Sequence, residues 1–195
     1  MPAEELPDVV EVATDVAGRL EALAIPYLIS GSLASSVHGE PRATMDVDLV
    51  ADLRPEQVER LAAALRPEYY VDEDVMREAT RTGGSFNAVH TRAGVKVDVF
   101  VAGDDPFEQA RLRARIAVAV TRAPSPPLWF DTAEHTLLRK LEWYRRGGEA
   151  SERQWRDVQA IIALQGASLD HAVLTHWAAA LGVEDLLRRA WGAAR

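Results

Sequence analysis

The sequence predicts an α+β protein, a mixed β-sheet core with flanking helices followed by a C-terminal helical region. Two observations carry this reading. Thr44–Ala51 (TMDVDLVA), Ser85–His90 and Gly94–Phe100 alternate apolar and polar residues as half-buried strands do, and helical spacings separate them. Beyond the prolines of Ala123–Pro127 only helical spacing remains. That segment reads as a linker between a core at 1–122 and a helical region at 123–195.

The elements follow in order. Val9, Val12, Val16, Leu20 and Leu23 recur at helical spacing, so an amphipathic helix covers Leu6–Leu23, and Pro26 stops it. Tyr27–Ile29 is a short apolar strand. Gly31 gives a turn, and Ser32 is placed to cap a short helix through Leu33, Ala34 and Val37, which Gly39 and Pro41 end. After the Thr44–Ala51 strand, Pro55 opens a helix carrying Val58, Leu61 and Leu65. Tyr69–Val71 reads as a short strand and Asp72–Thr82 as helix. Arg92 and Ala93 form the turn of a hairpin between the two later strands. Pro106 opens a helix to about Arg113, and Ile116–Val120 is the last strand. In the helical region, Thr132 begins a helix that Gly147 and Gly148 end, and Ser151 caps another through Leu164. Two shorter helices cover Leu169–Leu181 and Val183–Trp191.

A chain of 195 residues has room for a small core with an appendage. The net charge of -8 argues against a general nucleic-acid binder, which needs clustered Lys and Arg, but leaves room for a small basic patch around an RNA end or a triphosphate. The absence of cysteine excludes disulfides, thiolate zinc sites and cysteine nucleophiles. The N-terminus MPAEELPDVVEVATDV lacks the basic and apolar regions of a signal peptide. No run approaches the roughly 18 to 20 apolar residues of a membrane span, so a cytoplasmic location is expected.

The chemistry centres on acidic residues. Asp46 and Asp48 lie two apart in a strand and therefore project to one face, while Val47 and Leu49 face the core. Adjacent carboxylates repel, and a hard divalent cation such as magnesium relieves the repulsion. Asp98 sits in the strand KVDVF, where a carboxylate needs compensation, from a metal or from Lys96 or an Arg. If this strand pairs beside the Asp46 strand, three carboxylates converge, as a two-metal phosphoryl-transfer site requires. Gly31 and Ser32 lie after a strand and open a helix. Gly lets a ligand approach the backbone, and the helix N-terminus offers N–H groups to phosphate.

The segment GSLASSVHGEPRATMDVDLV, with the later Asp98, resembles the signature of the polymerase-β nucleotidyltransferase superfamily. Within it, the R-x-T-x-D-x-D form of Arg42, Thr44, Asp46 and Asp48 is most similar to bacterial minimal and AbiEii-like nucleotidyltransferases associated with toxin–antitoxin systems. The resemblance implies a nucleotidyltransferase-type core, metal ligation by Asp46, Asp48 and Asp98, and triphosphate binding by Gly31 and Ser32. Arg42 and Thr44 would contact phosphate or shape the approach to the strand. The likeness continues more weakly through EHTLLRKLEWYRRGG and RQWRDVQAII, where that group carries a Lys and then an Asp on successive helices. Here these are Lys140 and Asp157, read either as nucleotide-binding groups or as solvated helix charges or a local salt bridge.

Other features are blander. The five histidines show no metal-ligand spacing. The tryptophans lie mostly on helical apolar stripes, as core or interface residues do. Arg139, Lys140, Arg145, Arg146, Arg153 and Arg156 form a basic stretch diluted by Glu142, Glu149 and Glu152, either a solvated helix pair or a cleft wall.

The expected activity is transfer of an NMP from an NTP, ATP among the candidates, with two Mg2+ ions. The acceptor hydroxyl would belong to an RNA end, a protein side chain or a small molecule. A cognate toxin or antitoxin partner is expected, and no membrane partner. The alternative is a non-catalytic binding module for a partner protein or nucleotide.

Overall fold

A computed structural model describes residues 6–120 and 126–193. Of the segment Ala123–Pro127 read as a linker, residues 123–125 lie outside the described residues. The chain divides into two compact units. One runs through Ser30 and resumes from Thr44 to Phe130; the other takes Gly31–Ala43 and the chain from Asp131 onward.

The first unit holds α1 (Val9–Ala22), β1 (Tyr27–Ile29), β2 (Asp46–Ala51), α3 (Val58–Leu65), β3 (Tyr69–Tyr70), α4 (Glu73–Thr82), β4 (Ser85–His90), β5 (Lys96–Val101), α5 (Pro106–Ala114), β6 (Ile116–Val118) and β7 (Leu128–Phe130). The second holds α2 (Gly31–His38), α6 (Ala133–Arg146), α7 (Glu152–Gln165), α8 (His171–Leu181) and α9 (Glu184–Ala193). No described helix is long and apolar enough to cross a membrane.

The seven strands among the described residues form one mixed sheet in the order β3-β4-β5-β2-β1-β7-β6. β2 and β5 run parallel at its centre, and β1 and β4 flank them antiparallel. Strand alternation then decides the two faces. Val47, Leu49, Ala51, Val97, Val99, Val101, Phe86 and Ala88 are all buried on one face, the side on which α1, α3 and α4 pack. On the opposite face Leu28, Val50, Ala102 and Leu112 of α5 form a small apolar cluster with Phe100 against it. That cluster covers the C-terminal ends of β2 and β5. Their N-terminal ends stay open, with Asp46 exposed and Asp48, Lys96 and Asp98 half-buried.

Local signals explain the helix starts. Asp8 and Glu11 form a reciprocal capping box on α1. Asp105 caps α5 ahead of Pro106, Thr132 caps α6 and Ser151 caps α7.

Three sequence expectations need correction. The central strand begins at Asp46, not Thr44. Helix α2 begins at Gly31, so Ser32 lies inside its first turn and does not precede it. Strand structure also continues past the prolines: β7 pairs parallel with β1 at Ile29 and Phe130 and antiparallel with β6. Three residues, LWF, are too few to show a period of two.

Candidate active site

In the first unit, strand register builds the acidic face. β2 and β5 pair with Asp46 opposite Lys96 and Asp48 opposite Asp98. Directly paired residues point to the same side of a sheet, so the three carboxylates and Lys96 share one face. β4 extends that face, placing Asn87 opposite Asp98. The other flank of β2 is pinned through its backbone, where the Ser30 N–H donates to the Asp48 carbonyl at 2.8 Å. Ser30 is itself held by Arg111, whose Nη2 donates to the Ser30 hydroxyl at 2.6 Å while its Nη1 reaches Glu108 Oε2 at 2.7 Å. Arg111 is only 1% exposed. Sequence reading missed it, although its position four residues after the buried Phe107 puts it on the inward stripe of α5. Thr44 brackets the start of β2, its hydroxyl donating to the Asp46 carbonyl at 3.3 Å.

Lys96 Nζ stands 2.8 Å from Asp98 Oδ2. The hydrogen bond to Asp98, reinforced by the charges of Asp98, Asp46 and Asp48, outweighs partial desolvation and holds the ammonium above its ordinary range. As placed, no three His, Cys, Asp or Glu side chains among the described residues are gathered into a metal-holding group. The donor set nonetheless fits a hard divalent ion. It offers the carboxylate oxygens of Asp46, Asp48 and Asp98, which suit magnesium, and the Lys96 ammonium already sits against Asp98.

The second unit assembles four of the other candidates. Arg42 Nη2 donates to the Ser32 hydroxyl at 2.5 Å and to Asp157 Oδ2 at 3.3 Å. Lys140 Nζ reaches the same Asp157 oxygen at 2.8 Å. Lys140 and Asp157 are 6% and 8% exposed, so this is an ion pair withdrawn from water, not a solvated helix contact. Ser32 belongs to α2, Lys140 to α6 and Asp157 to α7, and these helices pack on one another. The loop carrying Arg42 is tied back by Ser36, whose hydroxyl accepts from the Arg42 N–H at 3.3 Å and donates to the Ser32 carbonyl at 3.0 Å. Gly31 opens α2 at φ +59°, in the left-handed region that disfavours any residue with a Cβ. The Arg42 Nε is buried and has no partner among the described residues.

The remaining features take ordinary roles. His38 donates through Nε2 to the Asp131 carbonyl at 2.7 Å. Arg139 and Arg146 pair with Glu142, and Arg145 pairs with Asp185 and Glu149, so local ion pairs consume much of the basic stretch. The tryptophans are not core residues: none is buried, and Trp143 is 44% exposed.

The mixed sheet with its flanking helices matches solved structures of the nucleotidyltransferase fold. Three solved structures carry that likeness. The antibiotic-resistance factor ANT(2'')-Ia matches with a TM-score of 0.60 at 13% identity, over 94% of this chain and 99% of that one. An antigenic nucleotidyltransferase-like protein from Paracoccidioides brasiliensis matches at 0.51 and 18%, over 92% and 89%. The lincosamide antibiotic adenylyltransferase LnuA, solved with lincomycin bound, matches at 0.50 and 12%, over 82% and 99%. No protein-family model matches the chain, and no curated protein does.

Proposed function

We propose that the protein is a metal-dependent nucleotidyltransferase that moves an NMP from an NTP to an acceptor hydroxyl. One observation supports this above the others: the parallel β2–β5 register sets Asp48 beside Asp98 with Asp46 on the same open face. In this reading Asp46, Asp48 and Asp98 hold divalent metal. Bound there, Mg2+ would neutralise triphosphate charge and favour ionisation of the attacking oxygen. Gly31 and Ser32 present backbone N–H groups and a hydroxyl to phosphate oxygens. Arg42 and Lys140 supply positive charge to the triphosphate, and Asp157 fixes the direction of both side chains. Thr44 sets where β2 begins. Asp98 accepts the proton of the acceptor hydroxyl. The acceptor oxygen bonds to the α-phosphorus, the bond to the bridging oxygen breaks, and pyrophosphate leaves.

The acceptor class is proposed on two grounds. ANT(2'')-Ia has been solved with adenylyl-2''-tobramycin and LnuA with lincomycin, which supports a small-molecule hydroxyl. The R-x-T-x-D-x-D form and the helical tail support the AbiEii-like reading, in which an RNA end or a protein side chain accepts the nucleotide and a toxin or antitoxin is the partner. A second reading, a nucleotide- or partner-binding module without turnover, draws support from the Lys96–Asp98 ion pair at the acidic face.

Incubation with α-labelled NTP, Mg2+ and pools of tRNA, protein or aminoglycoside and lincosamide acceptors tests the proposal. The expected result is label transfer with stoichiometric pyrophosphate, abolished in D46A/D48A. Metal-dependent binding of NTP without transfer to any pool would favour the binding module.

A further inference from the structure

The acidic face carries its own cation. Lys96 is on the central strand β5, where a long charged side chain has poor intrinsic preference. It lies directly opposite Asp46 and two residues before Asp98, so strand geometry turns it toward all three carboxylates. Its Nζ is 2.8 Å from Asp98, and the ammonium feels the charge of Asp46 and Asp48 as well. An isolated surface ion pair contributes little. A lysine among three carboxylates differs, because its removal takes a positive charge away from a face that carries three like charges.

We propose that Lys96 is the resident counter-ion of the Asp46–Asp48–Asp98 face, holding the carboxylates in the metal-free protein and competing with a divalent ion for Asp98. This rests on the reading of those three residues as metal ligands. The ammonium has room to turn to another partner: its side chain is 41% exposed and ends a four-carbon stem. A triphosphate brings anionic oxygens that offer it a new partner. Metal alone therefore binds weakly, and metal with triphosphate binds well, so the acidic face is filled when substrate is present.

The test is titration with MnCl2 alone, without nucleotide, following free Mn2+ by electron paramagnetic resonance. Wild type, K96M, K96R and D46A/D48A are compared, with K96Q as substitute if K96M fails to fold. Loss of one positive charge beside the ligands is expected to tighten Mn2+ binding about tenfold in K96M, while K96R stays near wild type. K96M should also show the lower thermal midpoint in low salt without metal, and the larger gain when Mn2+ is added. A lysine whose charge does not reach the ligands would leave Mn2+ affinity unchanged on removal. Equal or weaker binding by K96M, with binding still lost in D46A/D48A, would overturn the role of Lys96 and leave the transferase reading standing. Binding indifferent to Asp46 and Asp48, or no binding by any variant, would overturn both.

Discussion

Lys140 Nζ donates to Asp157 Oδ2 at 2.8 Å, and both side chains are more than nine-tenths covered. The same oxygen receives Arg42 Nη2 at 3.3 Å, so one carboxylate serves two cations. D157N should therefore cost about 3–5 kcal/mol, the range for breaking a buried pair. K140M should cost less, because Asp157 keeps Arg42. Urea unfolding of the two variants checks the order; equal losses would show that Arg42 contributes nothing to the network.

Arg42 also tests the link between this network and nucleotide. Its planar fork spans Ser32 and Asp157, which an ammonium cannot reproduce. R42K should lower NTP affinity about tenfold, one good charge-assisted bond, with urea stability changing far less than in D157N. Unchanged affinity would assign Arg42 a purely structural role.

These contacts also show what the sequence conveyed. The D-x-D strand was legible because alternation of Asp46, Val47, Asp48 and Leu49 is local, and its pairing with Asp98 needed only one register to be right. Ser32, Arg42, Lys140 and Asp157 were visible only one at a time. What joins them is helix packing across more than a hundred residues, which no spacing rule encodes. Ser32 is a good N-cap residue type, which places the helix start too late; here its hydroxyl is engaged by Arg42 and the helix starts at Gly31. Arg111 was overlooked because charged residues on short helices normally face water.

Arg111 supports the acidic face through Ser30, whose N–H donates to the Asp48 carbonyl. R111M would leave the Ser30 hydroxyl and Glu108 without their shared cation in a covered environment. A stability loss of about 2–3 kcal/mol is expected, readable as a lower urea midpoint. A loss below about 0.5 kcal/mol, the size of an ordinary surface change, would contradict the support.

Alkaline pH probes the opposite face of the sheet. Burial, then the hydrogen bond to Asp15 at 2.7 Å, pushes the Tyr69 hydroxyl above the usual phenol range. Burial, then Glu21 at 3.0 Å, does the same to Tyr27. With raised folded values, both phenols stay protonated in the native state while the unfolded chain ionises near pH 10, about the free phenol value. The unfolded state then binds fewer protons, so stability falls as pH rises beyond that point. Urea midpoints should be level from pH 7 to 9 and drop above about pH 10. Y27F/Y69F should be less stable at pH 8 yet lose less on going alkaline. Parallel curves for the variant and wild type would rule out the two phenols as the source.

In the proposed function, three carboxylates on one sheet face hold metal for a nucleoside triphosphate. Calorimetric titration with ATP, CTP, GTP and UTP in turn, with and without Mg2+, on wild type and D46A/D48A, tests it most directly. Binding of at least one NTP that requires Mg2+ and disappears in the double variant is expected. Mg2+-independent binding, binding retained by the folded double variant, or no binding of any NTP would contradict it.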